Sequence, residues 1–277
     1  MSRPQPIPVS AFIIAKDEGT RIGATIDSLR GLVAEIIVVE WGSSDDTVAV
    51  ARRHGAQVIH HPWRGYGPQK RFAETCCQQR WLLNLDADEA LSPELAEEIR
   101  LLFSDDRPDL DAYQLVIRAV CPHEDRPQRW AYANTPVRMY DRECGQFADS
   151  LVHDSVLLRT GSRVGRLKHD VYHRGMLSLD QLVAKINGYT SLQAEDFLAR
   201  KAEEVSFWRL ATVVPAAFFK SYILRRHFVW GRYGLVISMS YAFARLLRLG
   251  KIHEQRLLAD QTQRQNQPIV PLRRSAA

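Results

Sequence analysis

The chain has 277 residues, 45% of them hydrophobic and 25% charged, without low-complexity tracts or internal repeats. That length and composition belong to a globular protein able to bury a large core, and they exclude a fibrous or wholly disordered chain. The formal net charge of +5 is unevenly spread: residues 200–277 hold 14 Lys and Arg against 4 Asp and Glu, so a strongly basic C-terminal part follows a mildly acidic body.

The first hundred residues alternate apolar runs with helical patterns. "VSAFIIA" is a first strand and Thr20 to Leu29 has helical periodicity. "EIIVVE" is a second strand, and "SSDDTVAVARRHG" is a capped helix stopped by Gly55. "AQVIHH" is a third strand, and "PQKRFAETCCQQ" is a helix after a glycine-containing loop. "WLLNL", from Trp81, is a fourth strand. Ser92, Pro93 and Glu94 then start another helix with a cap, a first-turn proline and an acid. Strands alternating with helices of about ten residues imply βαβ units and a parallel sheet. The apolar run Val9–Ala15, ended by Lys16, Asp17 and Glu18, is too short for a signal-peptide core followed by a cleavage site, and a cytoplasmic location is expected.

After about residue 105 the pattern changes. "AYQLVIRAV", "PVRMY" and "VGRLKHDVYHR" read as strands. Helices follow over 179–199, 207–224 and 233–249, and the polar stretch after Asp260 reads as a disordered tail. The domain expectation is therefore a catalytic domain over 7–177, a helical region over 178–258 and a tail over 259–277. No run reaches the ~18 apolar residues of a membrane span. The C-terminal helices interleave arginines with aromatic residues, which suits the interface of an anionic membrane; an ordinary helical subdomain is the plainer alternative. The four cysteines lack metal-ligand spacing and read as reduced and buried.

The chemistry centres on "LDADE". Asp86 and Asp88 leave the fourth strand one residue apart, so both carboxylates can point to one side. The loop beyond a parallel strand's carboxyl end is where α/β sheets bind ligands. Two hard oxygen donors suit Mg²⁺ or Mn²⁺ bound together with substrate phosphates. Asp-x-Asp alone is common in solvated turns, and its position is what gives it weight. His60 and His61 read as loop-shaping residues, His153 as packing or acceptor-orienting, and the Trp63–Gly67 loop as either a diphosphate-approaching segment or a structural turn.

Six stretches in order carry a resemblance: "FIIAKDE" at 12–18, "EIIVVEWGSSDDT" at 35–47, "HPWRGYGPQKRFA" at 61–73, "WLLNLDADE" at 81–89, "LVHDSV" with "GRLKHDVYHR" at 151–174, and "YILRRHFVWGRYGL" at 222–235. Together they resemble family 2 glycosyltransferases, and most of all the lipopolysaccharide inner-core β-1,4-glucosyltransferase group, over roughly residues 9–253. The resemblance implies a GT-A fold, a mostly parallel α/β sheet flanked by helices; the arginine- and aromatic-rich C-terminal helices add an extension expected to associate with membrane. It also implies inverting transfer of a hexose, glucose by preference, from a UDP-sugar to a lipid-linked saccharide such as the lipopolysaccharide core. The enzyme would then work peripherally on the inner face of the cytoplasmic membrane.

Carried over residue by residue, the resemblance makes Asp86 and Asp88 the metal and ribose-diphosphate motif. Glu40 holds the nucleotide base, while Lys16 and Glu18 line its pocket. Lys70 lies near the diphosphate, Asp154 is the general base, and His173 completes a Mg²⁺ or Mn²⁺ site. Asp149 and Asp170 compete with Asp154 as base. The chain departs from the family's usual "VVDSGS" with "VVEWGS", and Arg71 stands where asparagine is common, which puts the nucleotide's identity in question.

Inverting transfer needs a base for the attacking hydroxyl and positive charge for the leaving diphosphate, but no acid to protonate the leaving group. Loss of Asp154 is expected to cost about 10²–10⁴-fold in rate. A dinucleotide-dependent oxidoreductase is disfavoured because "AKDEGTRIG" has no G-x-G-x-x-G turn. A sugar-nucleotide nucleotidylyltransferase lacks its glycine-rich basic loop, and a non-catalytic membrane scaffold would have no need of the acids. Nucleic-acid binding is not expected, because the C-terminal arginines lie within apolar helices.

Overall fold

The fold is that of a computed structural model describing residues 5–105, 107–122, 124–150, 155–200 and 205–265. The chain forms two compact units, Met1–Gly175 and Met176–Ala277.

The first unit is built on one mixed sheet. Strands β1 (Ile7–Ala15), β2 (Val33–Glu40), β3 (Gln57–His60) and β4 (Trp81–Asn84) pair in parallel in the order β3-β2-β1-β4. Helices α1 (Ile22–Leu29), α2 (Thr47–Arg53) and α3 (Tyr66–Cys76) make the crossovers. Strands β1, β2 and β4 are apolar almost throughout because both faces are covered, whereas β3, at the edge, is only half-buried. Period-two alternation divides them. Val9, Ala11, Ile13 and Ala15 join the core formed with α1 and α2. Phe12 and Ile14 join Ile37, Val39, Ala73, Tyr140 and Phe147 on the opposite face.

Beyond β4 the chain adds a three-residue strand, β5 (Glu89–Leu91), before α4 (Pro93–Leu101). Ser92 caps α4, its Oγ accepting from Leu95 N at 3.1 Å, with Pro93 at the first position. Strand β6 (Ala112–Ala119) follows, then β7 (Ala133–Asn134), β8 (Val137–Asp141), a small β9–β10 hairpin (Gly145–Phe147 and Val156–Leu158) and β11 (Val164–His173). Strand β8 inserts antiparallel between β4 and β6; β11 runs parallel to β6 and antiparallel to β5.

The second unit is helical: α5 (Leu179–Arg200), α6 (Phe207–Phe219) and the long α7 (Gly231–Gln265). Ala194, Leu249 and Ile252 form its core with Phe197, Leu210 and Val213. Lys251 Nζ ties α7 to α5 through the Asn187 carbonyl, Thr190 and Ser191 at 2.8–3.0 Å. The helix expected to end near 249 continues past Asp260 to Gln265, because the polar residues there extend the same helix without a breaker. The helix expected to run to Leu224 changes at Phe219 into a π turn over Lys220–Leu224, one turn after Pro215. Among the described residues, no helix is long and apolar enough to cross a membrane.

Candidate active site

The four parallel strands end on one edge, which gathers Lys16 and Glu18 after β1, Glu40 at the end of β2, and Asp86 and Asp88 after β4. Pairing of β5 with β11 adds a distant residue. Glu89 stands opposite His173, and Arg174 N donates to the Asp88 carbonyl at 2.9 Å. His173 Nε2 thereby lies 3.4 Å from Asp88 Oδ2. Arg21, at the start of α1, reaches the same oxygen at 3.5 Å and holds Glu18 Oε2 at 2.5 Å, so Glu18 is linked through it to Asp88.

Asp86 sits in a different environment. Lys70 Nζ lies 2.8 Å from its Oδ1, and Arg138 Nη2 lies 2.8 Å from its Oδ2. Lys70 is wholly buried and also rests over the Phe147 ring at 5.0 Å. It is delivered by α3, whose start packs closely on residues 148–150. Gly67 N donates to Ser150 O at 2.9 Å, and a Cβ at Gly67 would lie 2.1 Å from Ala148 O, so only glycine fits.

Arg138 comes from the second position of β8. It also bonds the Asn84 amide oxygen and approaches Glu89 Oε1 at 3.5 Å. Glu89 Oε2 in turn accepts from Asp86 N at 3.0 Å. One arginine thus joins Asn84, Asp86 and Glu89, and it fixes the start of the acidic loop. Nothing in the sequence reading singled out Arg138. The available signal was a lone cation in the otherwise apolar run "PVRMY", since a buried arginine must have partners.

The charges settle accordingly. Burial alone would raise the Asp86 carboxyl, but Arg138 and Lys70 hold it far below the usual carboxylate range. Burial likewise opposes the Asp88 anion, which His173 and Arg21 keep low. Burial disfavours the His173 cation, and the Asp88 carboxylate overrides that to raise the ring's pKa. Glu89 is pushed up by burial and by the Asp86 charge.

Other expected residues fall outside this cluster. Lys16 is exposed at the end of β1. Glu40 turns onto its own loop: Oε2 accepts from Gly42 N at 2.8 Å and Ser43 N at 3.0 Å, and Oε1 faces His60 Nδ1 at 2.6 Å. His61 shapes the same edge, stacked on Phe72 and bonded to Gln69. Asp154 and His153 lie outside the described residues. Asp170 is paired with Arg118 at 2.9 Å, and Asp149 is exposed. Of the cysteines, Cys77 and Cys121 are buried while Cys76 and Cys144 are half-buried; burial pushes the Cys77 thiol up to about 12. Among the described residues no three His, Cys, Asp or Glu are grouped to hold a metal ion.

Residues 10–161 match the sequence profile of "Glycosyl transferase family 2". The chain belongs to that family. It is a glycosyltransferase, and its α/β sheet with flanking helices is the GT-A architecture. An uncharacterized glycosyltransferase of Rickettsia felis is 42% identical over 257 residues, covering 90% of each chain. The lipopolysaccharide core biosynthesis glycosyltransferase LpsC of Rhizobium meliloti is 29% identical, covering 91% of this chain and 94% of its own. Among solved structures, the glucosyl-3-phosphoglycerate synthase of Mycobacterium tuberculosis, in complex with Mn²⁺, UDP and phosphoglyceric acid, is 18% identical with a TM-score of 0.43. That match covers 65% of this family 2 chain and 79% of the synthase. S. aureus TarS 1-349 with UDP-GlcNAc is 13% identical with a TM-score of 0.45, covering 91% of this chain and 92% of that one.

Proposed function

We propose that this glycosyltransferase moves a hexose, glucose by preference, from a UDP-sugar to a lipid-linked saccharide of the lipopolysaccharide inner core, with inversion. The observation that carries the donor half is the split arrangement of the acidic loop. Asp86 is neutralised by two buried cations, while Asp88 faces an imidazole across 3.4 Å. That gap is longer than an ordinary N–H···O bond, and a carboxylate oxygen opposite an imidazole nitrogen is a donor pair suited to Mn²⁺ or, less well, Mg²⁺. Asp88 and His173 would hold the ion, with diphosphate oxygens and water completing its shell. The ion would supply positive charge to the departing diphosphate. Asp86 takes no metal in this reading; it anchors Lys70 beside the diphosphate and fixes the loop.

The acceptor hydroxyl attacks the anomeric carbon as the carbon–diphosphate oxygen bond breaks. Its proton passes to Asp154, and the nucleoside diphosphate leaves with the bonding electrons. Glu40, Lys16 and Glu18 border the base and ribose from the ends of β1 and β2. The likeness to LpsC supports the acceptor class, and a lipid-linked acceptor would call for an enzyme working at the inner membrane face.

Calorimetric titration of UDP, GDP, ADP and dTDP, with and without Mn²⁺, into wild type and Asp88→Asn tests the donor site. UDP binding that needs Mn²⁺ and disappears in Asp88→Asn is expected. Equal binding by the variant would remove Asp88 from the site, and preference for another nucleotide would replace the donor.

A further inference from the structure

The second unit carries a feature that sugar transfer does not use. Between α6 and α7 the chain makes a compact tip: the π turn over 220–224, Arg226 in the left-handed region (φ 57°), and a 3₁₀ turn over His227–Trp230. The tip is clamped from inside. The buried His227 ring lies 3.0 Å from Ser221 Oγ and 3.3 Å from Ser238 Oγ, and it stacks on Trp230 at 4.9 Å. Gly234 lets α7 approach the turn, since a Cβ there would lie 1.8 Å from His227 O. A backbone held this firmly presents its outward side chains in a fixed pattern.

Those outward side chains are large and apolar. Phe219 is 55% exposed, Leu224 61%, Phe228 45% and Leu235 46%, with Ile223 and Val236 beside them in sequence and exposed as well. So many exposed large apolar side chains within one short segment, 219–236, point to a contact surface. The charges around it narrow the partner. Lys220, Arg225, Arg226 and Arg232 are all exposed within the tip, and every charged residue from Val205 to His253 is Lys or Arg. A second copy of the chain would set like charge against like. An anionic bilayer offers both what the apolar groups and what the cations need: hydrocarbon beneath a negatively charged headgroup layer.

We infer that the α6–α7 tip is a membrane-insertion wedge. Ile223, Leu224 and Phe228 enter the headgroup–acyl boundary, and Lys220, Arg225 and Arg232 pair with anionic headgroups. The wedge deepens the lipid-linked-acceptor reading by naming the surface that meets the lipid, and it stands on observations separate from the donor site.

Cosedimentation of the full chain with vesicles of equal parts phosphatidylglycerol and phosphatidylcholine, against vesicles of phosphatidylcholine alone, tests the wedge. Wild type should bind the anionic vesicles and bind the neutral ones weakly. Ile223→Asp/Leu224→Asp/Phe228→Asp should bind anionic vesicles more than about tenfold more weakly. Arg225→Gln/Arg232→Gln, a milder change that leaves the clamp untouched, should lose about fivefold per arginine. Equal binding to both vesicle types, or wild-type binding by the double variant, overturns the inference. So does a wild-type dimer that the triple variant converts to monomer without vesicle binding by either. UDP binding measured on the same samples separates the two readings. Vesicle binding lost with UDP binding intact belongs to the tip; the reverse concerns only the donor site.

Discussion

Arginine serves opposite purposes in the two units. In the first, Arg138 is almost fully buried and is surrounded by Asn84, Asp86 and Glu89, so its charge is spent inside the protein. In the second, Arg225 and Arg232 are exposed in a stretch that contains no acid at all, so their charge faces outward. The buried cation determines geometry, and its removal leaves carboxylates uncompensated. The exposed cations contribute little to folding and are available to a partner. One histidine in each unit, the half-buried His173 and the buried His227, follows the same division. His173 is drawn toward its cation by Asp88, whereas His227, among hydroxyls and indole, is kept neutral.

The sharpest way to break this comparison is Arg138→Met. Urea denaturation should show the first unit destabilised by about 3–5 kcal/mol, because Asp86 and Glu89 would share a buried site with one cation fewer. A change below about 1 kcal/mol would mean that the network is not where stability resides.

His227 gives the next effect. Burial, helped by Arg225, lowers its pKa to about 4, below the 6.5 of an ordinary histidine. Between those values the unfolded chain binds more protons than the folded one, so stability of the second unit falls as pH drops from 6.5 toward 4. The full loss is up to about 3 kcal/mol, and His227→Asn should flatten the dependence over that range when thermal unfolding is followed at several pH values. His173 acts in the other direction: its raised pKa contributes stability at low pH that is lost as pH rises through the folded-state value.

The smallest effect is expected for Arg232→Gln, which should change stability by less than about 0.5 kcal/mol in the same denaturation assay. A larger loss would show that the tip cations hold the fold together, and the division between buried and exposed arginines would fail.

Much of this was legible in the sequence. The apolar runs gave the strands of the parallel half because residues buried on both faces leave no room for polar alternation, and Ser92–Pro93 marked the start of α4. Asp86 and Asp88 stood out by their place after β4. Two things were hidden. Strand β5 is only three residues long, and its partner β11 is far along the chain, so no local pattern announces it. Arg138 sits in "PVRMY", where periodicity marks a strand and says nothing of which acids the middle residue will meet. Non-local pairing decided both, and it decided that Asp88 meets His173 while Asp86 meets Lys70. The helical tip was visible as apolar residues mixed with arginines, but its π turn and His227 clamp depend on packing against α7.

The antiparallel pairing of β5 with β11 also sets an order of events during synthesis. Asp88 leaves the ribosome early, with β1 to β4 already made, yet the residue facing it is supplied by the last strand of the unit. A nascent chain that stops short of β11 has an acidic loop with no imidazole opposite it and a sheet lacking one edge. Closing so long a loop is slow relative to forming the local βαβ units. The two halves of the cluster therefore cannot form in one step: a chain ending before residue 164 already contains Lys70 and Asp86 but not His173.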